Sequence, residues 1–169
     1  MTVLLRPLTL DDRDRVLAIN EAVVHKLAPM DGDLYAWFLE VATVALAAEV
    51  DGAVAGFVLV LAPGVAYPSD NYRWFSERYT DFLYLDRVAV DDGFRRRGVG
   101  SAIYTEVEIH AAAMDRPVLL EVNEVPPNDA SLAFHAARGY RPVGTLAHDG
   151  GAKVVRLLEL PNPSGPTWG

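Results

Sequence analysis

The chain has 169 residues, 51% of them apolar, which suits one domain with a sizeable hydrophobic core. Fifteen basic against 23 acidic residues leave a net charge of −8, which argues against nonspecific nucleic-acid binding. The absence of cysteine excludes a disulfide framework and thiolate chemistry, and no apolar run reaches the ~18–20 residues that span a bilayer.

Asp11, Asp12 and Asp14 follow closely on the N-terminus, which is wrong for a signal peptide, so a cytoplasmic location without membrane partner is expected. Val3 to Leu8 reads as a first strand stopped at Pro7. Val16, Ile19, Val23 and Val24 then recur at helical spacing, and a second helix is predicted over Asp33 to Val41. Ala45–Val50 and Ala53–Leu61 flank Asp51-Gly52, a hairpin signal.

Residues 63–79 read as an insertion rich in turn signals and aromatics (Tyr67, Tyr72, Trp74, Phe75, Tyr79). It is either a lid packed on the core or a wall of a substrate site, since long loops often carry function. Phe82 to Val90 reads as a strand and Gly100 to Met114 as a helix. On that helix Val99, Ile103, Val107, Ala111 and Met114 make one apolar stripe. A further strand is predicted over Pro117 to Val125. A short helix follows over Ala130 to Arg138, capped by Asn128 or Asp129 and ended at Gly139. Two last strands, Tyr140–Leu146 and Lys153–Leu160, precede a loose tail, so the domain is expected to occupy 1–160 and the tail 161–169.

The densest signal is Arg95-Arg96-Arg97-Gly98-Val99-Gly100-Ser101, placed between the predicted strand and helix. Unpaired N–H groups and the helix dipole at a helix start favour a phosphate, and glycine lets the backbone approach it. A P-loop requires a Gly-Lys-Ser/Thr ending, and no lysine stands there. A dinucleotide fingerprint requires a third glycine where Ile103 stands, and belongs to the first strand–helix unit.

The run Val88 to Tyr104, together with Glu121-Val122-Asn123, Asn128 and Phe134 to Tyr140, closely resembles the GNAT superfamily of acetyl-CoA-dependent N-acetyltransferases. The resemblance extends in element order over about residues 3–160. It implies an α/β (α+β) fold: one domain with a mixed, mostly antiparallel central sheet flanked by helices. It also implies acetyl transfer from acetyl-CoA to a primary amine, on a small molecule or a peptide. Val88, Ala89 and Val90 would offer backbone groups to pantetheine, and Arg95, Arg96, Arg97, Gly98, Val99, Gly100 and Ser101 would hold the pyrophosphate. Asn128 would bond pantetheine or cap the short helix. Dimerisation is common in that family, which leaves a homodimer open, with the aromatic insertion as one contact.

Transfer needs a base for the ammonium and a proton for the departing thiolate. Tyr84, Asp86 and Val88 share a strand face by alternation, which makes Asp86 the first choice for base or amine anchor. The plainer role of Asp86 is a salt bridge to an arginine. His135 stands where many family members carry an acidic tyrosine, so it either protonates the thiolate or only packs there. Tyr84, Glu121 and Asn123 are the acceptor-site candidates, and the acidic balance favours a cationic acceptor. No three-ligand metal spacing is evident. The competing classes are a non-catalytic acyl-CoA-binding sensor and a nucleotide-phosphate enzyme.

Overall fold

Among the described residues, seven stretches form strands: β1 (Val3–Pro7), β2 (Val44–Val50), β3 (Ala53–Leu61), β4 (Leu83–Val90), β5 (Val118–Val125), β6 (Arg141–His148) and β7 (Lys153–Leu160). Five form α-helices: α1 (Arg13–Ala22), α2 (Gly32–Val41), α3 (Asp70–Ser76), α4 (Val99–Ala113) and α5 (Asp129–Ala137). The strand order is β1-β2-β3-β4-β5-β7-β6, with β4 and β5 parallel and the pairs β1/β2, β2/β3, β5/β7 and β6/β7 antiparallel. This is the mixed, mostly antiparallel sheet with helices that the motifs implied. The structure is a computed structural model and describes residues 2–162, so most of the expected tail lies outside the described residues. Internal contacts divide the chain into two units, 2–62 with 85–110 and 63–84 with 111–162. No helix among the described residues is long and apolar enough to cross a membrane.

In the first unit the two-residue turn at Asp51-Gly52 sets the β2/β3 register, pairing Val50 with Ala53 and Val44 with Val60. Six consecutive β3 residues from Gly56 are buried, as a central strand requires. α1 and α2 bury Val16, Ile19, Tyr35 and Phe38, each worth roughly 1.5–3 kcal/mol of apolar burial. The chain enters α1 through a capping turn in which the Asp12 carboxylate accepts from the Thr9 N–H at 2.9 Å and from both Arg6 nitrogens at 2.8 Å. That pairing with Arg6 holds the Asp12 carboxyl below the usual range, against the opposing effect of its burial. The Tyr35 hydroxyl donates to the Thr9 carbonyl at 2.6 Å, and burial above all, with the Asp12 charge, pushes its pKa up to about 12.

In the second unit β5 and β6 flank β7, with Val118 opposite Leu160 and His148 opposite Lys153. The start of β4 joins β5 at Leu83↔Val118 and Tyr84↔Leu119. The expected insertion is not loop throughout, because it contains α3, whose N-cap Ser69 accepts from the Tyr72 N–H at 3.2 Å. Pro68, Ser69 and Asp70 had suggested turns, and they are instead the entrance to a helix. Tyr72 and Phe75 are buried against Phe82 and Tyr84 in edge-on aromatic pairs and a tilted one. Three further ties fix the segment to the C-terminal hairpin: Asn71 with His148 at 2.9 Å, Tyr79 donating to Glu159, and Trp74 lying against Gly144. Burial and the Glu159 carboxylate both raise the Tyr79 pKa.

One member of the predicted α4 stripe is displaced. Val99, Ile103, Val107 and Ala111 are buried, but Met114 is 39% exposed because the helix stops at Ala113 and the chain turns at Asp115 with positive φ.

Candidate functional site

The strand–loop–helix of the first unit carries the residues assigned to the cofactor. On β4, Asp86, Val88 and Val90 are half-buried while Leu85, Arg87 and Ala89 are buried, the alternation expected of a strand. Asp91 then ends the strand. Its N–H donates to the Ala55 carbonyl at 2.8 Å, and its carboxylate accepts from the Gly93 N–H at 2.7 Å and from Arg15 at 2.8 Å. Those contacts, the Gly93 N–H first, hold the Asp91 carboxyl below its ordinary range. A tight turn over Asp92–Phe94 leads to Arg95, Arg96 and Arg97, all exposed. Arg95 pairs with Asp92 at 2.8 Å, and the Arg97 guanidinium lies 5.5 Å from the Phe94 ring centroid.

Gly98 makes the junction. Its φ of +77° is in the left-handed region, and its carbonyl accepts the first α4 bond from the Ala102 N–H at 3.0 Å. Val99, Gly100 and Ser101 therefore form the first turn, whose N–H groups have no carbonyl one turn earlier to bond. A Cβ added at Gly98 or Gly100 would meet nothing within 4 Å, so the backbone is uncrowded at these two residues. Unpaired first-turn N–H groups and the positive end of the helix dipole suit an anion on both charge and donor count.

Asp86 is paired with its own neighbour: Arg87 Nε donates to its Oδ2 at 2.8 Å, with the two side chains 2% and 6% exposed for Arg87 and Asp86 respectively. The same guanidinium reaches the Asn20 Oδ1 at 3.3 Å and the Ala28 carbonyl at 3.1 Å, and lies 5.2 Å from the Phe38 ring centroid. Arg87 and Asn20 were not singled out by the motif reading. Each carried a signal nonetheless: a charged residue on the buried side of an apolar strand, and an amide four residues after Val16 on the buried stripe of α1.

The second unit holds the remaining candidates. The Tyr84 hydroxyl, fully buried, donates to both oxygens of Glu121 at 2.9 and 2.8 Å. Asn123 is half-buried further along β5, and its carbonyl accepts from the Asn128 N–H at 3.1 Å. Asn128 is the N-cap of α5, its Oδ1 accepting from the Ser131 N–H at 3.3 Å. One turn on, His135 Nδ1 lies 2.6 Å from the Ser131 carbonyl, which can only accept, so Nδ1 carries a proton. His135 is 4% exposed, edge-on to Tyr140. Thus Tyr84 is joined to Glu121, and Asn123, Asn128 and His135 form one bonded series through Ser131. Glu124, by contrast, is taken by Arg156 at 2.5 Å.

The insertion encloses an open groove of about 740 Å³ lined by Gly64, Val65, Tyr67, Pro68, Tyr72 and Arg73 among others. Its floor is Tyr72, whose hydroxyl accepts from the Val65 N–H at 3.1 Å and whose ring stands edge-on to Tyr84.

The sequence profile of the acetyltransferase (GNAT) family matches residues 14–140. Among solved structures, the chain is similar to the ribosomal-protein-S18-alanine N-acetyltransferase of Escherichia coli, with TM-score 0.73 and 16% identity over 99% of each chain. It is similar to NAA60 of Arabidopsis thaliana in complex with acetyl-CoA, with TM-score 0.72 and 21% identity over 94% of this chain and 99% of that one. It is also similar to an N-acetyltransferase of Staphylococcus aureus, with TM-score 0.70 and 21% identity over 95% and 99%.

Proposed function

Because this chain belongs to the acetyltransferase (GNAT) family, we propose that it transfers the acetyl group of acetyl-CoA directly to a primary amine. The observation that carries this reading is the junction at Gly98: a helix start entered through glycine and preceded by three exposed arginines, on the strand–loop–helix that also carries Asp86. The pyrophosphate takes the first-turn N–H groups of α4, with Arg95, Arg96 and Arg97 adding charge. The pantetheine amides pair along the backbone of Val88, Ala89 and Val90, as an added strand would. Asn128 serves by setting the start of α5.

In the reaction the neutral amine attacks the thioester carbonyl, the C–N bond forms and the C–S bond breaks, and CoA leaves as thiolate. A backbone N–H near Val90 polarises the carbonyl oxygen. Asp86 or a water beside it takes the ammonium proton. His135 returns a proton to the thiolate. With Nδ1–H held by the Ser131 carbonyl, the ring can give a proton from Nε2 only as imidazolium. Tyr84, Glu121 and Asn123 line the acceptor side, and the carboxylates there favour a cationic acceptor.

The test is thiol release from acetyl-CoA across a panel of small amines and peptide N-termini, with binding of acetyl-CoA measured separately. The expected result is amine-dependent release that Asp86→Ala reduces. Tight acetyl-CoA binding without release above background for any amine would overturn transfer in favour of an acyl-CoA sensor, and competition by ATP would point to a nucleotide site.

A further inference from the structure

Of the three arginines before the α4 junction, two are already engaged within the chain. Arg95 Nε pairs with Asp92 Oδ1 at 2.8 Å, and the Arg97 guanidinium lies 5.5 Å from the Phe94 ring centroid. Arg96 differs from both. It is exposed, and among the described residues it has no hydrogen bond, ion pair or ring contact. Its φ is +62°, so a residue with a Cβ is held in the left-handed region that Gly98 occupies two residues later at φ +77°. Glycine would adopt that backbone with less strain, and the fold draws no contact from the guanidinium in return. The fork of an arginine, planar and always charged, matches the oxygens of a phosphate.

Acetyl-CoA carries two separate anionic groups, its pyrophosphate and the 3′-phosphate on its ribose. The pyrophosphate has donors in the first-turn N–H groups of α4. We propose that Arg96 binds the 3′-phosphate, and so makes this chain selective for acetyl-CoA over acetyl thioesters that lack that group. The inference rests on the acetyl-CoA reading of the junction given above. A phosphomonoester carries roughly −1.5 to −2 charge near neutrality, and a free guanidinium can meet two of its oxygens with parallel N–H groups. Arg95 and Arg97 keep their partners at Asp92 and Phe94, and Arg96 is the specificity-determining member of the three.

The experiment measures binding of acetyl-CoA and of acetyl-dephospho-CoA, the same thioester without the 3′-phosphate, to the full chain by calorimetry. The parent is expected to bind acetyl-CoA about tenfold more tightly than the dephospho compound. Arg96→Gly suits the left-handed backbone and removes the fork. It should weaken acetyl-CoA about tenfold and change the dephospho compound by less than about twofold. Arg96→Lys keeps the charge without the fork and should fall between. Melting of each unliganded variant checks that the fold is intact, and the parent's preference between the two thioesters decides the question even where a variant folds poorly. A parent that binds both thioesters equally overturns the 3′-phosphate role alone. So does an Arg96→Gly variant that binds acetyl-CoA like the parent. Equal losses for both thioesters in Arg96→Gly would assign the residue to the pyrophosphate instead. A parent that binds neither thioester overturns the acetyl-CoA reading itself, and this role with it.

Discussion

Trp74 occupies the volume that a side chain at residue 144 would need. A Cβ on Gly144 would stand 2.7 Å from Trp74 Cζ2 and 3.0 Å from Cη2. The indole of α3 therefore seats on β6 at its bulge between Pro142 and Gly144, with the Arg78 guanidinium 3.9 Å from the ring centroid. Gly144→Ala is expected to destabilise the protein by about 1–3 kcal/mol, as overpacking does. Trp74→Leu in the same chain should restore part of the loss, a coupling readable from urea midpoints of the four proteins. Additive effects would mean that the two residues do not share the space.

Gly98→Ala isolates backbone conformation from sterics, since the added methyl meets nothing within 4 Å while φ is +77°. The expected cost is about 1–2 kcal/mol for holding a non-glycine residue left-handed. Part of it should appear as weaker acetyl-CoA binding by calorimetry, because the junction that presents the α4 N–H groups relaxes. An unaltered affinity with a lowered melting temperature would separate the junction from the cofactor.

Tyr84→Phe removes one hydroxyl that is shared by both Glu121 oxygens. With that hydroxyl gone from Glu121, kcat/KM for the amine is expected to fall about tenfold while acetyl-CoA binding is kept, consistent with a hydrogen bond to a charged group. Equal losses for amine and cofactor would place Glu121 away from the acceptor.

His135→Phe keeps the edge-on packing with Tyr140 and removes the proton donor. If the imidazolium protonates the thiolate, kcat of the parent declines on the alkaline side and the variant lacks that limb. A parent profile with the same alkaline limb as His135→Phe would assign the ring to packing alone.

Asp12 gives a pH dependence with a definite sign. Its carboxyl is held below the ordinary value by Arg6, so its stabilising effect is full above the unfolded pKa of about 3.9 and is lost as pH falls through the native value. Asp12→Asn is therefore expected to cost about 1–2 kcal/mol near neutrality. The gap between parent and variant should close on acidification below about pH 4. A gap independent of pH would assign the loss to packing.

The succession of strands and helices was legible because it rests on local chemistry: the helical spacing of Val16 and Ile19, the Asp51-Gly52 turn, and glycine at the strand-to-helix turn after β4, whereas the order of the strands in the sheet is set by distant pairings. Local reading placed the 63–79 segment less well. The turn-forming residues Pro68, Ser69 and Asp70 also start helices, and only the pairing of Tyr72 and Phe75 with Phe82 and Tyr84 decides between them. Met114 continued the helical period, yet the α4 hydrogen bonds end before it. Arg87 was passed over because its partners, Asn20 and Ala28, lie 67 and 59 residues away, and no spacing rule joins them. Of the two readings of Asp86, the structure shows the salt bridge to an arginine, with the carboxylate held by its own neighbour Arg87.

The three ties of the insertion to the final hairpin bear on whether this segment can be exchanged between chains of this design. A segment whose tryptophan needs a glycine at 144, whose Asn71 meets His148 and whose Tyr79 meets Glu159 cannot be grafted alone. A relative's version of 63–79 would arrive without its counterparts on β6 and β7, and the graft would fold poorly whatever its groove could bind. The transplantable piece is the segment together with the last two strands, and diversification of the groove is expected to travel with changes at 144, 148 and 159.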